Sequence, residues 1–270
     1  MRSYKDIIND AIAEYTPIHC LLMFSGGHDS LVSTHVCATY LKSREIPFSV
    51  YHGDTSIGIK ETQDFVRETC EANGWELNIR RPEPGQEYED IVEKHGFPGA
   101  PGHGIMYRRL KERPLRKFVT HELKMAPKSR ENVLLLTGIR KSESLIRMGY
   151  DREISKDGSR VWVSPIFWWS KKECEKYISF NKLKRNPVKD KICISGECLC
   201  GAFGSNEELA EIKASYPAAY QKIAAIHEKA KANGKPWPWS CGPNEWYRNH
   251  PPGQLDMFMC VGCEEKKYRL

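Results

Sequence analysis

The sequence predicts an α/β fold, a doubly wound parallel sheet followed by a small, cysteine-rich helical extension. Three observations carry that expectation. Apolar runs of buried-strand length alternate with segments of helical spacing, a glycine-centred loop joins the first such run to the next helix, and the character of the chain changes beyond residue 185. With 270 residues and 40% hydrophobic content, the chain can fill one full α/β core and carry a smaller appended region. The expected division is residues 1–185 and 186–270.

Residues 3–15 place Ile7, Ile8, Ala11 and Ile12 at helical spacing, and Pro17 stops the pattern. Residues 18–24, IHCLLMF, form a continuous apolar run that suits a strand buried on both faces. A helix over 30–43 then leads to a strand at 48–52, a helix at 58–73, and a third strand at 75–79. The Gly- and Pro-rich stretch 96–104 marks a loop, and a basic helical segment follows over 107–124. VLLLTGI at 133–139 and VWVSPIFWW at 161–169 complete the expected strands, and a helix over 170–178 starts with Ser170 as its cap. Strands that alternate with helices in this way imply βαβ units, hence a parallel sheet covered on both faces. Beyond it, helices are expected near 205–214 and 216–233, followed by an irregular aromatic loop, KPWPWSCGPNEWYRNHPPG.

Charged residues make up 28% of the chain and are interspersed, which argues against disorder. The net charge of +6 suits a phosphate-rich ligand or a nucleic acid. Basic residues gather at Arg108, Arg109, Lys111, Arg113, Arg116 and Lys117, and again at Lys182, Lys184, Arg185, Lys189 and Lys191. The first fifteen residues carry interspersed acids and do not read as a secretory signal, and no apolar run approaches the roughly 18 residues of a membrane span. The expectation is a cytoplasmic protein with no membrane partner. Its ten cysteines should then be reduced, so that clustered ones point to metal binding or redox chemistry and not to disulfides.

Residues 25–30 read Ser-Gly-Gly-His-Asp-Ser between a buried strand and a helix. Gly26 and Gly27 permit backbone conformations and close approaches that a Cβ would block. Free N–H groups at the helix start favour an anionic phosphate there. Ser25 and Ser30 offer hydroxyl donors, and Asp29 suits a magnesium ion or the orientation of the loop. The Gly-Lys-Ser/Thr ending of a Walker A loop is absent.

On these six residues the chain resembles the PP-loop superfamily, the adenine nucleotide α-hydrolase-like proteins, whose members cleave ATP between its α- and β-phosphates or bind adenylyl sulfates. His52-Gly53-Asp54-Thr55, at the end of the second strand, and Leu136-Thr137-Gly138-Ile139-Arg140-Lys141-Ser142-Glu143-Ser144 with Arg147 are similar to further segments of it, the latter to the Gly-x-Arg-x-x-Glu-Ser stretch of the phosphoadenosine phosphosulfate (PAPS) reductase-like branch. The resemblance implies that Asp54 and Gly138 stand beside the nucleotide and that Arg140 and Arg147 meet phosphate charge. For Asp54 the plain alternative is a helix N-cap, and for Arg140 a surface salt bridge. Lys111-Glu112-Arg113-Pro114-Leu115 resembles the Lys-x-x-Pro-Leu segment of sulfonucleotide reductases. Met106 and Tyr107, however, stand where the iron-sulfur reductases have a Cys-Cys pair, and the reductases' terminal Glu-Cys-Gly-Leu-His is missing.

Cys193, Cys198 and Cys200 lie within eight residues, and Cys260 and Cys263 add a close pair. Such spacing suits tetrahedral zinc or an iron-sulfur cluster, and spacing alone does not separate the two. The resemblance implies a 4Fe-4S cluster, with Zn2+ as the alternative. Cys20, Cys37, Cys70 and Cys174 read as buried thiols in apolar or helical contexts, and Cys241 stays undecided. Trp237, Trp239, Trp246 and Tyr247 beside Arg248 read as the packing of a small subdomain in preference to a base-stacking platform.

The resemblance therefore implies an ATP pyrophosphatase, with Asp29 and Arg140 as its catalytic residues, that adenylates a substrate for sulfur transfer, closest in style to the enzymes of DNA phosphorothioation. It further implies ATP and Mg2+ as cofactors, an adenine nucleotide and a nucleic-acid substrate as partners, and a cysteine desulfurase as sulfur donor. The alternatives are a PAPS or adenylyl-sulfate reductase and a non-catalytic nucleotide-binding module with structural zinc.

Overall fold

The apolar run after Pro17 forms β1 (His19–Met23), whose residues divide between two faces as the alternation of a strand requires. Leu22 packs with Ile7, Ile8 and Ala11 of α1 (Tyr4–Tyr15), with Leu31 and Leu41 of α2 (His28–Ser43), and with Phe65 and Val66 of α3 (Lys60–Asn73). Leu21 faces the other way, into a cluster with Leu115, Phe118 and Val119. Strand β4 (Val133–Leu136) splits in the same manner, Leu134 and Leu136 joining the first cluster and Val133 and Leu135 the second. A sheet with apolar residues on both faces must be covered on both, and this one is. The computed structural model describes residues 2–126, 129–142 and 152–249, without the side chains of 247–249.

Six strands run in the order β3-β2-β1-β4-β6-β5, with β2 at Phe48–Gly53, β3 at Leu77–Arg80, β5 at Ile154–Asp157 and β6 at Arg160–Val163. All neighbours pair parallel except β5 with β6. The expected doubly wound sheet is present, with one antiparallel edge strand that the apolar pattern did not announce. Strand β6 also stops at Val163, short of the expected 169, because Pro165 follows and cannot donate to a ladder.

Local signals start and stop the helices. Ser3 caps α1 in a reciprocal capping box with Asp6, and Ser170 does the same with Glu173 at α7 (Lys171–Phe180), as expected for that serine. Helix α3 ends on Gly74 at φ +63. The basic segment that opens with a π-helical turn, Arg108–Glu112, continues as α6 (Arg113–Phe118) and ends in a second such turn, Val119–Leu123.

Packing does not divide the chain by one cut near residue 185. One compact unit joins the residues up to Glu87 with Arg108–Leu199, and the other joins Tyr88–Tyr107 with the described residues from Cys200 on. Residues 186–199 belong to the first unit because Asn186 and the carbonyls of Ser195, Gly196 and Glu197 are bonded into the loops after β1 and β2 and the start of α3. The second unit contains α4 (Tyr88–His95), α5 (His103–Tyr107), α9 (Asn206–Ser215), α10 (Pro217–Ala232) and α11 (Pro243–Asn249). Helix α11 lies within the stretch expected to be irregular. Trp237 and Trp239 are buried in this unit, and the Trp237 indole donates to the Phe97 carbonyl at 2.9 Å, so these two rings pack as expected. Among the described residues no helix is long and apolar enough to cross a membrane.

Candidate functional site

The order of the sheet reverses between β1 and β4, and a doubly wound fold leaves a crevice outside the carboxyl ends of its strands at such a point. Residues Ser25–Ser30 leave β1 there. Phe24 continues the ladder by donating to Tyr51 O at 2.9 Å, and Gly26 then turns the chain at φ +82. A Cβ on Gly26 would lie 2.7 Å from Thr62 Cγ2, so this position needs glycine for space as well as for conformation. Gly27 is the N-cap of α2 and supplies no side-chain cap, an arrangement that leaves first-turn N–H groups without a capping side chain and suits an anion. The Ser25 and Ser30 hydroxyls stand 3.0 Å apart, and Ser30 donates to Gly27 O at 2.9 Å.

Asp29 and Arg140, expected as separate contributors, are partners. Arg140 Nε lies 3.0 Å from Asp29 Oδ1, with the Arg140 side chain 5% exposed and that of Asp29 24% exposed. Arg140 also donates to Ser142 Oγ at 3.1 Å. Burial, and then the negative charge of Asp29, push the pKa of the Cys174 thiol up to about 12. Gly138 faces the same helix start: a Cβ there would lie 2.7 Å from both Asp29 C and Ser30 N. Its close neighbour is thus the first turn of α2. Arg147, Glu143 and Ser144 lie outside the described residues.

Asp54 follows β2 and accepts from Ser56 N–H at 2.8 Å. It is not a helix cap, since Ile59 holds that position for α3. His52 is buried with Nδ1 2.8 Å from Phe24 O, which ties the ends of β1 and β2 together. His28 sits half-buried with Nε2 3.3 Å from Asp190 Oδ1 and Nδ1 3.3 Å from Arg185 Nη2; burial first, and then the Arg185 charge, hold its pKa below the usual histidine range.

Three residues that sequence reasoning missed hold this site. Asn186 is fully buried and its Nδ2 donates to Gly26 O at 2.9 Å and Ser195 O at 3.2 Å. Thr62 Oγ1 donates to Ser195 O at 2.6 Å. Glu197 pairs with Lys111 at 2.8 Å, which gives the Lys-x-x-Pro-Leu segment a structural partner. The Asn-Pro pair at 186–187, an N-cap followed by proline at the first position of α8 (Pro187–Ile192), was the available sequence signal.

The loop held by Asn186 and Thr62 carries Cys193 and Cys198. Cys193 is exposed, and Cys198 and Cys200 are half-buried. Among the described residues no three His, Cys, Asp or Glu side chains are grouped as a metal site requires. Cys260 and Cys263 lie outside the described residues. Cys20, Cys37, Cys70 and Cys174 are buried as expected. Much of the basic charge is engaged locally: Lys117 pairs with Glu83, Lys184 with Glu68 at 2.6 Å and Arg185 with Asp190 at 2.8 Å.

The family profile of the phosphoadenosine phosphosulfate reductase domain matches residues 19–266. The chain belongs to that family. Its place in the PP-loop superfamily, in the PAPS reductase-like branch, agrees with the fold and with the loop after β1. Among solved structures, the PAPS reductase-like chain is similar to phosphoadenylyl-sulfate reductase from Candida auris in its phosphate complex, at 21% identity and a TM-score of 0.50, over 70% of this chain and 84% of that one. That likeness is one of fold. An uncharacterized protein of Methanocaldococcus jannaschii is 26% identical over 201 residues, 74% of this chain and 45% of that protein. The chain therefore spans less than half the length of the curated relative it matches.

Proposed function

We propose that this member of the PAPS reductase family is an ATP pyrophosphatase that adenylates a substrate oxygen and so prepares it for displacement by sulfur. The observation that carries this reading is the uncapped start of α2, flanked by the Ser25 and Ser30 hydroxyls, at the switch point of the sheet. A polyphosphate fits the donors gathered there, and the family match makes the adenine nucleotide the natural bearer.

In the proposed reaction a substrate oxygen attacks the α-phosphorus of ATP, the bond to the bridging α–β oxygen breaks, and pyrophosphate leaves. A sulfur nucleophile then displaces AMP from the adenylated substrate. Gly26, Gly27, Ser25 and Ser30 hold the phosphates, and Arg140, anchored by Asp29 and Ser142, presents fixed positive charge at the end of β4. Asp54 and Gly138 shape the same crevice, and Arg147 would add a second cation. Magnesium, where Asp29 would hold it with the exposed part of its carboxylate, supplies charge neutralisation for the polyphosphate.

For sulfur handling, Cys193, Cys198, Cys200, Cys260 and Cys263 are the proposed donor set of a 4Fe-4S cluster, with zinc as the alternative. The described residues do not complete such a set. The net charge of +6 favours a nucleic acid as acceptor, and a cysteine desulfurase is the proposed source of sulfur in the cytoplasm.

The test is pyrophosphate release from ATP with magnesium in the presence of candidate acceptors, wild type against Asp29→Asn. Asparagine is chosen because alanine would strip the buried Arg140 guanidinium of its partner and confuse chemistry with stability. The expected result is turnover that falls about a hundredfold or more in the variant. Sulfite release from adenylyl sulfate, with no pyrophosphate from ATP, would instead mark a reductase.

A further inference from the structure

We infer that Asn186 is a positioning residue that sets the direction of the Gly27 N–H in the phosphate loop and links that loop to the segment bearing Cys193 and Cys198. This inference rests on the nucleotide reading above and adds a mechanical connection between the two sites.

Two loops distant in sequence meet on one side chain. The carboxamide of Asn186, 0% exposed, has two N–H bonds on Nδ2 and one acceptor oxygen. Its oxygen accepts from Val188 N–H at 3.0 Å, which caps α8. Its nitrogen reaches Gly26 O at 2.9 Å and Ser195 O at 3.2 Å, with Thr62 Oγ1 at 3.3 Å. The donors of one amide are thus committed to one carbonyl of each loop.

The Gly26 contact has a consequence for phosphate binding. In a trans peptide the C=O of one residue and the N–H of the next point in opposite directions. Holding Gly26 O toward Asn186 therefore turns Gly27 N–H away from it, to the side where Ser25 Oγ stands at 3.5 Å. If Gly26 O swung round, its negative end would face the phosphate and the N–H would be lost to it. With φ at +82, Gly26 is free to rotate in ways other residues are not, so it needs an external restraint. Asn186 supplies it.

The Ser195 contact ties the other loop to the same point. Thr62 Oγ1 donates to Ser195 O at 2.6 Å, Ile59 N–H donates to Gly196 O at 2.7 Å, and Thr55 Oγ1 donates to Glu197 O at 2.7 Å. Three consecutive carbonyls between Cys193 and Cys198 are thereby held by the segment that leads from β2 into α3. Space is equally tight: a Cβ on Gly58 would lie 2.6 Å from Glu197 O, and one on Gly196 would lie 2.8 Å from Thr62 Oγ1. A shift of the Gly26 peptide is passed through Asn186 and Thr62 to Ser195, because no slack separates them.

The experiment compares wild type, Asn186→Asp and Thr62→Val in the full chain as purified, with two readouts. ATP affinity, with magnesium, is measured by calorimetry, and amide hydrogen exchange is measured over residues 193–199 with and without ATP. Aspartate keeps the size of Asn186 and its cap on α8 but replaces the donors with an acceptor that repels Gly26 O and Ser195 O. Valine keeps the Thr62 methyl near Gly26 and replaces the hydroxyl with a second methyl that cannot donate to Ser195 O. In wild type, ATP should slow exchange over 193–199 severalfold. Asn186→Asp should weaken ATP binding about tenfold or more and abolish that response. Thr62→Val, which leaves the Asn186 bond to Ser195 O in place, should weaken the response with a smaller loss of affinity, and it reports on the link even if the aspartate variant fails to fold. Wild-type affinity in Asn186→Asp, or wild-type protection in Thr62→Val, would overturn the inference. Failure of the wild type itself to bind ATP would refute the nucleotide reading beneath it.

Discussion

A methyl group at position 138 would collide with the main chain of α2 at Asp29 and Ser30, and neither atom belongs to a side chain that can turn aside. Gly138→Ala should therefore cost about 2 kcal/mol of stability and weaken nucleotide binding, because relief requires moving the helix start at which the phosphates are proposed to bind. Denaturant unfolding and ATP titration of the variant check this, and unchanged values in both would show that the strand-end backbone yields freely. Single residues were legible where their chemistry is local. Ser25, Gly26, Gly27, Asp29 and Ser30 lie within six residues, and their pattern resembles the loop on which the proposed phosphate site rests. Asn186, Thr62 and Glu197 were not legible, since an ordinary polar side chain that bonds a distant carbonyl leaves no periodicity or spacing in the sequence. The pairing of Asp29 with Arg140 was hidden for the same reason, although each residue was singled out alone.

At the scale of elements, apolar runs revealed β1, β2, β3, β4 and β6, and helical spacing revealed the helices that cover them. Strand β5 escaped because Ile-Ser-Lys-Asp is a half-exposed edge with little to bury. Its one signal is the Asp157-Gly158 pair, which leads into a two-residue hairpin turn with Gly158 at φ +62. Two histidines clamp elements together: His19 of β1 lies 2.8 Å from Ser49 Oγ of β2, and His35 of α2 lies 2.8 Å from Tyr177 OH of α7. Burial holds both pKa values below the ordinary 6.5, and His28 behaves alike. The unfolded chain then takes up these protons before the folded one does, so stability is present above 6.5 and is lost as pH falls through the depressed values. Melting temperature should fall steadily on acidification from about pH 7 to about pH 5. A flat or rising profile would show that the rings are not held neutral.

For the molecule as a whole, alternating strands and helices made the class of fold legible, and the switch point of the sheet is where the proposed ligand site lies. The division into units was less legible. Composition shifts near residue 185, but tertiary hydrogen bonds keep 186–199 with the sheet, and Tyr88–Tyr107 joins the later helices. Composition records where the chain changes character, whereas packing records what it touches. The central claim is that the crevice after β1 holds the triphosphate of ATP, and its most direct test is calorimetric titration of the chain with ATP and magnesium, alongside Gly27→Val. Saturable micromolar binding, on the order of 8 kcal/mol, is expected for the wild type, and it should be lost when a bulky branched side chain stands at the head of α2. Absence of binding by the wild type, or equal binding by the variant, would contradict the claim.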